Sequence, residues 1–333
     1  MLLINGMSPT KFTFPNGETT LQFNESMFNE EFNEITWRFE SDDEFMTLNQ
    51  LSNTLVDWLK SRGIEYPLYN LYVPYFPYER MDRHQKGSLN PFSLEEAVNM
   101  LPNPEYINRL HILEPHSEKV CDILEAHGYS FTYGMVTGSM LIDATRDDFK
   151  VSHGNQVVIL PDKGSVKRYL GDSNTDLFSG QLGIGKDVNA TNLLVGSKVR
   201  DFDTNDKENI TGYKIDKRAT IEYDKTGELQ DFSWNNMRET KNDKPISFFI
   251  VDDLCSYGGT FIKLMETVKT GLKQAGITNE VHFYLIVTHC ELAILKGSIP
   301  DAGFDKIYTT NSMCDLPLTE TKLKQLFQIE NIL

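Results

Sequence analysis

The chain has 333 residues, 40% of them apolar, and a length of about twice the usual domain predicts two globular domains. Its formal charge of −16 argues against DNA or RNA as a partner, because nucleic-acid binding depends on a basic face that neutralises phosphates. No run of eighteen apolar residues occurs and the start does not resemble a signal peptide, so we expect a cytoplasmic protein that does not associate with membranes.

The four cysteines are spread along the chain. Cys121, Cys255, Cys290 and Cys314 form no CxxC pair. This spacing argues against a disulfide framework and against a zinc site. We expect reduced thiols that are mostly buried.

Five short apolar runs predict buried strands, each followed by a helical pattern. Apolar residues at helical spacing predict one helix over 45–63 and another over 260–276, each ending on a glycine. Strands that alternate with helices predict parallel sheets flanked by helices, and therefore an α/β fold. The predicted strands are, in chain order, residues 69–77, 108–115, 156–161, 246–254 and 281–289.

The two halves of the chain share this plan without a residue-level repeat. The polar stretch 145–155 predicts a boundary, which gives domains over 1–150 and 151–333. Residues 171–245 are rich in Gly, Asn, Asp, Lys and Thr and predict a mobile hairpin with loops rather than core. Within them, residues 219–234 alternate like a hairpin around the turn sequence DKTGE.

The strongest chemical motif is FFIVDDLCSYGGTF, residues 248–261. An apolar strand ends in two carboxylates and passes through a glycine turn into a helix, whose backbone N–H groups can hold a phosphate. On Gly-Gly alone a tight turn is the commoner interpretation, but the two acids suit the paired hydroxyls of a ribose. The candidate ribose-phosphate ligands are Asp252, Asp253, Ser256, Tyr257, Gly258, Gly259 and Thr260.

This motif resembles the phosphoribosyl-diphosphate signature V-D-D-x-x-[DS]-[TS]-G-G-T. Type I phosphoribosyltransferases and ribose-phosphate pyrophosphokinases, also called phosphoribosyl diphosphate synthetases, carry it. The resemblance implies two phosphoribosyltransferase-like domains, each a mostly parallel sheet flanked by helices, with the loop at the carboxyl end of a strand. Tyr257 replaces a small Thr or Ser, and Ser256 stands where the kinases often have Asp.

Residues 73–98, VPYFPYERMDRHQKGSLNPFSLEEAV, resemble the P-Y-x-x-Y-x-R-Q-D-R segment of the pyrophosphokinases. The resemblance implies that Arg80 and Arg83 bind ATP, with Met81 in place of the family's glutamine. Guanidinium groups bind phosphate oxygens in pairs, so two arginines near a strand end can face a triphosphate together. On the residues alone, the alternative is a solvated polar loop.

Residues 11–23, KFTFPNGETTLQF, resemble the family's R-F-x-D-G-E segment. The resemblance implies that Phe14 stacks on adenine and that Glu18 accepts a hydrogen bond from its amino group, with Asn16 in place of Asp. In the family these groups come from a neighbouring subunit, which implies a homo-oligomer, a dimer or higher. Without the resemblance, PNGE predicts only a turn between two strands.

Two further segments place groups beside the metal. HILEPHSEKV, residues 111–120, resembles V-D-L-H-x-x-Q-I and implies that His116 lies beside the Mg²⁺–ATP complex. VVILPDKGSVKR, residues 157–168, resembles S-P-D-x-G-G-V and implies that Asp162 is the metal-side carboxylate. One carboxylate is adequate because Mg²⁺ keeps much of its water. A lone His is otherwise usually a core or surface residue.

Residues 212–223, GYKIDKRATIEY, are similar to the family's I-D-K-R-R segment. The resemblance implies that Lys217 and Arg218 are catalytic and lie on a flexible hairpin, residues 212–245, that closes over the nucleotide. The family's second catalytic arginine falls on Ala219. An isolated Asp-Lys-Arg is otherwise a solvated charge cluster.

Together the segments imply a diphosphokinase with Mg²⁺ as its cofactor. It would transfer the β,γ-diphosphate of ATP to the anomeric hydroxyl of ribose 5-phosphate, or of a 5′-extended ribose phosphate such as ADP-ribose, and release AMP. One alternative is a phosphoribosyltransferase, which shares the 248–261 loop but has no role for 73–98. The other is a non-catalytic regulatory homologue, which the residues Asn16, Met81 and Ala219 favour.

Overall fold

A computed structural model describes residues 1–83, 89, 91–147, 155–170, 192–202, 208–222, 225–226, 229–235, 237 and 243–333. The chain forms two compact units. The first is Met1–Gly134 with Ser312–Cys314 and Ile332–Leu333, and the second is Met135–Asn311 with Asp315–Asn331. The units divide after Gly134, whereas the sequence predicts the division at residue 150, so the helix at Thr137–Asp147 belongs to the second unit.

Within the described residues, the first unit has a five-stranded sheet in the order β1-β4-β5-β6-β7 and a separate β2–β3 hairpin. The sheet is parallel except for the edge strand β1. The elements are β1 (Leu2–Ile4), β2 (Thr10–Thr13), β3 (Thr19–Gln22), β4 (Glu34–Trp37), α1 (Glu44–Ser61), β5 (Tyr69–Val73), α2 (Ser93–Asn99), β6 (Ile107–Leu113), α3 (Lys119–Ala126) and β7 (Phe131–Gly134).

Apolar periodicity explains the elements of the first unit. Leu48, Leu51 and Leu55 recur at helical spacing along α1, and all three are fully buried. Strand β5 ends at Val73, earlier than the predicted residue 77, because Pro74 has no N–H to donate to a neighbouring strand.

The second unit has a larger sheet. Its described strands follow the order β11-β10-β9-β8-β13-β14-β15-β16, with β12 also paired to β10. Neighbouring strands along the path β9-β8-β13-β14-β15-β16 are parallel. Strand β10 pairs antiparallel with β9, β11 and β12. The elements are α4 (Thr137–Asp147), β8 (Asn155–Leu160), α5 (Lys163–Leu170), β9 (Asn192–Phe202), β10 (Glu208–Glu222), β11 (Lys225–Thr226), β12 (Gln230–Asp231), β13 (Ile246–Cys255), α6 (Gly259–Gln274), β14 (Val281–Cys290), β15 (Lys306–Thr310), α7 (Thr321–Leu326) and β16 (Phe327–Glu330).

The core of the second unit confirms the predicted central strands. Phe249 on β13 and Tyr284 on β14 stack with ring centroids 5.1 Å apart, and Leu141 from α4 lies in the same buried cluster. Two mostly parallel sheets flanked by helices confirm the predicted fold class.

The interpretation of residues 171–245 as lying outside the core is wrong for two strands. Leu193, Leu194 and Val195 on β9 are at most 3% exposed, and Ala219 on β10 belongs to the same core cluster as Leu193. The predicted antiparallel pairing within 219–234 is present between β10 and β11. Residues 171–191 lie outside the described residues, and the mobility of the hairpin stays a prediction.

Among the described residues, no helix is both long and apolar enough to span a lipid bilayer. Cys121, Cys255 and Cys290 are buried and Cys314 is partly exposed, which confirms that the thiols are mostly buried.

Candidate functional site

The 252–260 segment lies at the carboxyl end of β13, between the parallel strands β8 and β14. Ligands of open α/β sheets bind at this edge. Gly258 takes the left-handed conformation at φ 78° directly before α6, and a Cβ there would lie 2.4 Å from the side chain of Ile299. A glycine is therefore required for the turn that presents the N-terminus of α6.

The two aspartates of this loop share one cation. Arg168 on α5 is nearly buried, and its Nη1 lies 2.5 Å from Oδ1 of Asp253 and 3.2 Å from Oδ1 of Asp252. Asp253 is buried, whereas the side chain of Asp252 is 21% exposed. Burial and repulsion from Asp253 raise the pKa of Asp252 above its usual range, although Arg168 opposes the shift. Of the pair, Asp252 is therefore the carboxylate that a ligand can reach.

Asp162 follows β8 and directly precedes α5. Its Oδ1 accepts hydrogen bonds from the backbone N–H groups of Gly164 and Ser165, at 2.9 and 3.2 Å. Its Oδ2 lies 2.7 Å from Nζ of Lys198 on β9. Burial raises the pKa of Asp162, but Lys198 and the two N–H groups bring it below the usual value. Asp162 is therefore ionised at neutral pH and is held in a fixed position.

The end of the loop is tied to β10. The hydroxyl of Tyr213 donates a hydrogen bond of 3.1 Å to Oγ1 of Thr260. By contrast, the ring of Tyr257 is 61% exposed, and Ser256 is half-buried. The large, exposed side chain of Tyr257 thus lies beside the glycine turn.

The residues predicted to be catalytic lie on β10. Lys217 pairs with Asp231 at 2.7 Å, and the two side chains are 44% and 93% exposed. Arg218 is half-buried. Ala219 faces the core, so this position cannot present a long side chain to the loop without displacing core residues.

In the first unit, the predicted nucleotide-binding residues follow β5. Arg80, Met81 and Arg83 are all exposed. Asp82 is 4% exposed and holds the guanidinium of Arg83 with two hydrogen bonds, of 2.6 and 2.7 Å. Burial raises the pKa of Asp82, but Arg83 and Ser117 donate hydrogen bonds that bring it below its usual value.

The segment that follows β5 contacts the segment that follows β6. The backbone N–H of His116 donates to Glu79 at 3.0 Å, and Ser117 donates to Asp82 at 2.9 Å. Tyr78 and Glu114 have positive φ angles of 62° and 41°, which are strained for residues other than glycine. Strained backbone and buried acids thus fix the positions of Arg83 and His116.

The β2–β3 hairpin carries the predicted adenine-binding residues. Phe14 is 52% exposed at the turn, where its backbone N–H donates to Glu18 at 2.8 Å. The side chain of Asn16 accepts from the N–H of Glu18 at 3.2 Å. The turn predicted from PNGE is confirmed, and the roles of all three residues stay predictions.

Two of the residues around the acids were missed in the sequence. Arg168 lies within the 157–168 segment on a short helix, and nothing in its neighbouring sequence indicates its partner Asp253, which is 85 residues further along the chain. Lys198 lies in the polar part of β9. Among the described residues, no three His, Cys, Asp or Glu side chains cluster as a metal site.

No family model matches the chain. No curated protein matches it either. Solved structures do match, and one is the crystal structure of phosphoribosylpyrophosphate synthetase from Mycobacterium smegmatis. The similarity has a TM-score of 0.59 at 17% sequence identity and covers 98% of this chain and 86% of that chain. It shows that the two proteins share a fold.

Proposed function

We propose that the chain is a diphosphokinase that transfers the β,γ-diphosphate of ATP to the anomeric hydroxyl of a ribose phosphate and releases AMP. The observation that carries this proposal is the 252–260 loop, where a reachable carboxylate, Asp252, lies next to a glycine turn and a helix N-terminus. Fold similarity to a phosphoribosylpyrophosphate synthetase over 98% of the chain supports it.

The proposed acceptor lies along this loop. Asp252 accepts hydrogen bonds from the ribose hydroxyls, and Asp253 holds Arg168, which orients Asp252. The phosphate binds the backbone N–H groups at the start of α6 and the hydroxyl of Thr260. The exposed ring of Tyr257 favours an acceptor with a longer 5′ substituent, such as ADP-ribose, over ribose 5-phosphate. The product would then be an activated donor for nucleotide or NAD synthesis.

In the first unit, Arg80 and Arg83 are proposed to bind the phosphates of ATP, and Phe14 to stack on adenine. The fixed position of Arg83 on Asp82 supports its role, because a pre-oriented guanidinium loses little entropy on binding. Lys217 and Arg218 are proposed to be catalytic residues that the hairpin carries to the nucleotide when it closes. The reaction is an in-line displacement, so positioning and charge neutralisation supply the rate.

Magnesium is proposed to enter with ATP. The available donors fit this ion, since Asp162 and Asp252 offer partly exposed carboxylate oxygens, which Mg²⁺ prefers to nitrogen. His116 would then lie beside the complex rather than bind the metal. When bound, Mg²⁺ neutralises charge on the phosphates.

A homo-oligomer is also proposed. The hairpin exposes two large apolar side chains, Phe12 at 48% and Phe14 at 52%, which a second copy of the chain could cover. Light scattering after size exclusion measures the mass of the assembly, and a monomer at micromolar concentration would contradict this part of the proposal.

Product analysis tests the proposed reaction. Purified protein is incubated with Mg²⁺–ATP and either ribose 5-phosphate or ADP-ribose, and nucleotides are separated by anion exchange. AMP should form only when acceptor is present, and Asp252→Ala should abolish it. ADP as the only product would contradict diphosphate transfer, and release of diphosphate from a ribosyl diphosphate and a base would identify a phosphoribosyltransferase instead.

A further inference from the structure

A lysine that the sequence motifs did not identify lies among the acids of the second unit. Strand β9 runs parallel to β8, and their last paired residues are Val195 and Leu160. Lys198 lies three residues beyond Val195, past the carboxyl end of β8, where Asp162 is also located. Topology alone therefore places a cation at the edge of the sheet that carries the 252–260 loop.

Gly196 allows β9 to lie close to the end of β8. A Cβ at Gly196 would lie 2.6 Å from the carbonyl oxygen of Pro161, so any side chain there would push β9 away from the end of β8. Residues two apart on a strand face the same side of the sheet. The close contact at Gly196 thus brings Lys198 to Asp162, which directly follows Pro161.

The surroundings of Lys198 are those of a functional cation. Its ammonium lies 2.7 Å from Asp162, and its pKa, which burial lowers, is raised overall by Asp162, Tyr213 and Asp252. An ammonium has three N–H donors and the Lys198 side chain is 27% exposed, so a single salt bridge does not use all of its donors. Tyr213, its register partner on β10, bonds Thr260 of the loop.

Ribose chemistry relates this position to the reaction. The anomeric carbon is bonded to the carbon of the 2-hydroxyl, so a ribose held at Asp252 presents its attacking oxygen close by. Lys198 is paired in register with Tyr213, whose hydroxyl bonds Thr260 of the same loop, so we place the lysine near the incoming phosphorus. Lys217, in contrast, pairs with a carboxylate that is 93% exposed.

We infer that Lys198 is the lysine that binds the transferring diphosphate, and that it holds Asp162 in place when no substrate is bound. The inference rests on the proposed function for the identity of the ligand. It differs from the motif-based prediction, which gives this role to Lys217.

Calorimetric titration with inorganic diphosphate tests the inference without turnover. We expect Lys198→Met to weaken diphosphate binding at least about tenfold, the effect of losing one charge-assisted hydrogen bond. Lys214→Met is the matched control, because Lys214 is a 62% exposed lysine on β10 with its own acidic neighbour, Asp216. Binding by this variant should not change.

Three results would overturn the inference: no diphosphate binding by the wild type, undiminished binding by Lys198→Met, or a loss in Lys217→Met without one in Lys198→Met. If Lys198→Met does not fold, the double variant Asp162→Asn/Lys198→Met removes the stranded acid and tests the same point. A wild type that binds diphosphate through Lys198 but forms no AMP would contradict the proposed reaction and leave the inference standing.

Discussion

The hydroxyl of Tyr213 donates a 3.1 Å hydrogen bond to Oγ1 of Thr260. Tyr213 is 7% exposed on β10, and Thr260 closes the glycine turn, so this bond ties the turn to the antiparallel part of the sheet. A loop that must hold a phosphate gains affinity when its conformation is fixed before the ligand arrives.

Tyr213→Phe should weaken acceptor binding and leave the chain folded. One neutral hydrogen bond contributes about 0.5–1.5 kcal/mol, so KM for the acceptor should rise about two- to tenfold while kcat changes less. Steady-state AMP formation measures both constants. Tyr129→Phe is the control, because it removes a 2.9 Å bond to Pro102 in the first unit. A larger change in the control would show that the Tyr213 bond has no special role.

Arg168→Met should be strongly destabilising. Removing one partner of a buried ion pair costs about 3–5 kcal/mol, since Asp253 is left buried without its cation. Urea unfolding measures the change. Lys322→Met breaks an exposed pair with Asp301 in the same unit and should cost at most about 1 kcal/mol. Equal losses in the two variants would mean that Arg168 contributes no more than a surface charge.

Much of the fold could be predicted because the central strands are continuous apolar runs. Residues 246–254 and 281–289 are buried on both faces, so their sequence alone marks them, and the structure has strands at Ile246–Cys255 and Val281–Cys290. Strand β9 was missed because its apolar part is only a few residues long and polar residues follow it. A strand at the transition from parallel to antiparallel pairing has no clear periodicity.

The candidate site could be predicted only where its residues share a motif. Asp252 and Asp253 are adjacent, so their chemistry is visible in the sequence. Arg168 approaches them, and Lys198 approaches Asp162, only after β8, β9 and β13 pair, and no local pattern records such long-range ion pairs. The motif at 212–223 instead predicts that Lys217 is catalytic, and the partner of Lys217 in the structure is the exposed Asp231.

Asp252→Asn should lower activity without lowering stability at neutral pH. The pKa of Asp252 is raised in the folded state, so the folded chain binds this proton more tightly than the unfolded chain does. Ionisation of Asp252 therefore costs stability, and the cost grows as the pH rises from the unfolded pKa of about 4 through the folded pKa. The variant should melt at or above the wild-type temperature at pH 7.

The excess in Tm should shrink towards zero as the pH falls to about 4, because Asp252 is then protonated in the folded state and about half protonated in the unfolded state. Loss of a hydrogen bond to a charged group should lower kcat/KM by about ten- to a hundredfold. Thermal melts between pH 4 and 8 measure the first effect and AMP formation the second. Asp301→Asn, at a side chain that is 79% exposed, is the control and should show neither. A lower Tm for Asp252→Asn at pH 7 would contradict the sign of the shift.

Tyr257 should determine which acceptor is preferred, ADP-ribose or ribose 5-phosphate. It is 61% exposed and lies beside the glycine turn. A pocket for a terminal 5′-phosphate needs small hydroxyl side chains around a dianion, whereas an open aromatic ring can stack on a base at the far end of a longer substituent. Stacking of one base contributes about 1–3 kcal/mol, so kcat/KM should be at least about tenfold higher for ADP-ribose than for ribose 5-phosphate.

Tyr257→Thr removes the ring and restores a small hydroxyl, so it should lower kcat/KM for ADP-ribose at least about fivefold without lowering that for ribose 5-phosphate. Tyr66→Thr, at a ring that is 75% exposed in the first unit, is the matched control and should change neither constant. A wild type that prefers ribose 5-phosphate by tenfold or more, a difference of about 1.4 kcal/mol, would exclude ADP-ribose as the acceptor while leaving diphosphate transfer intact.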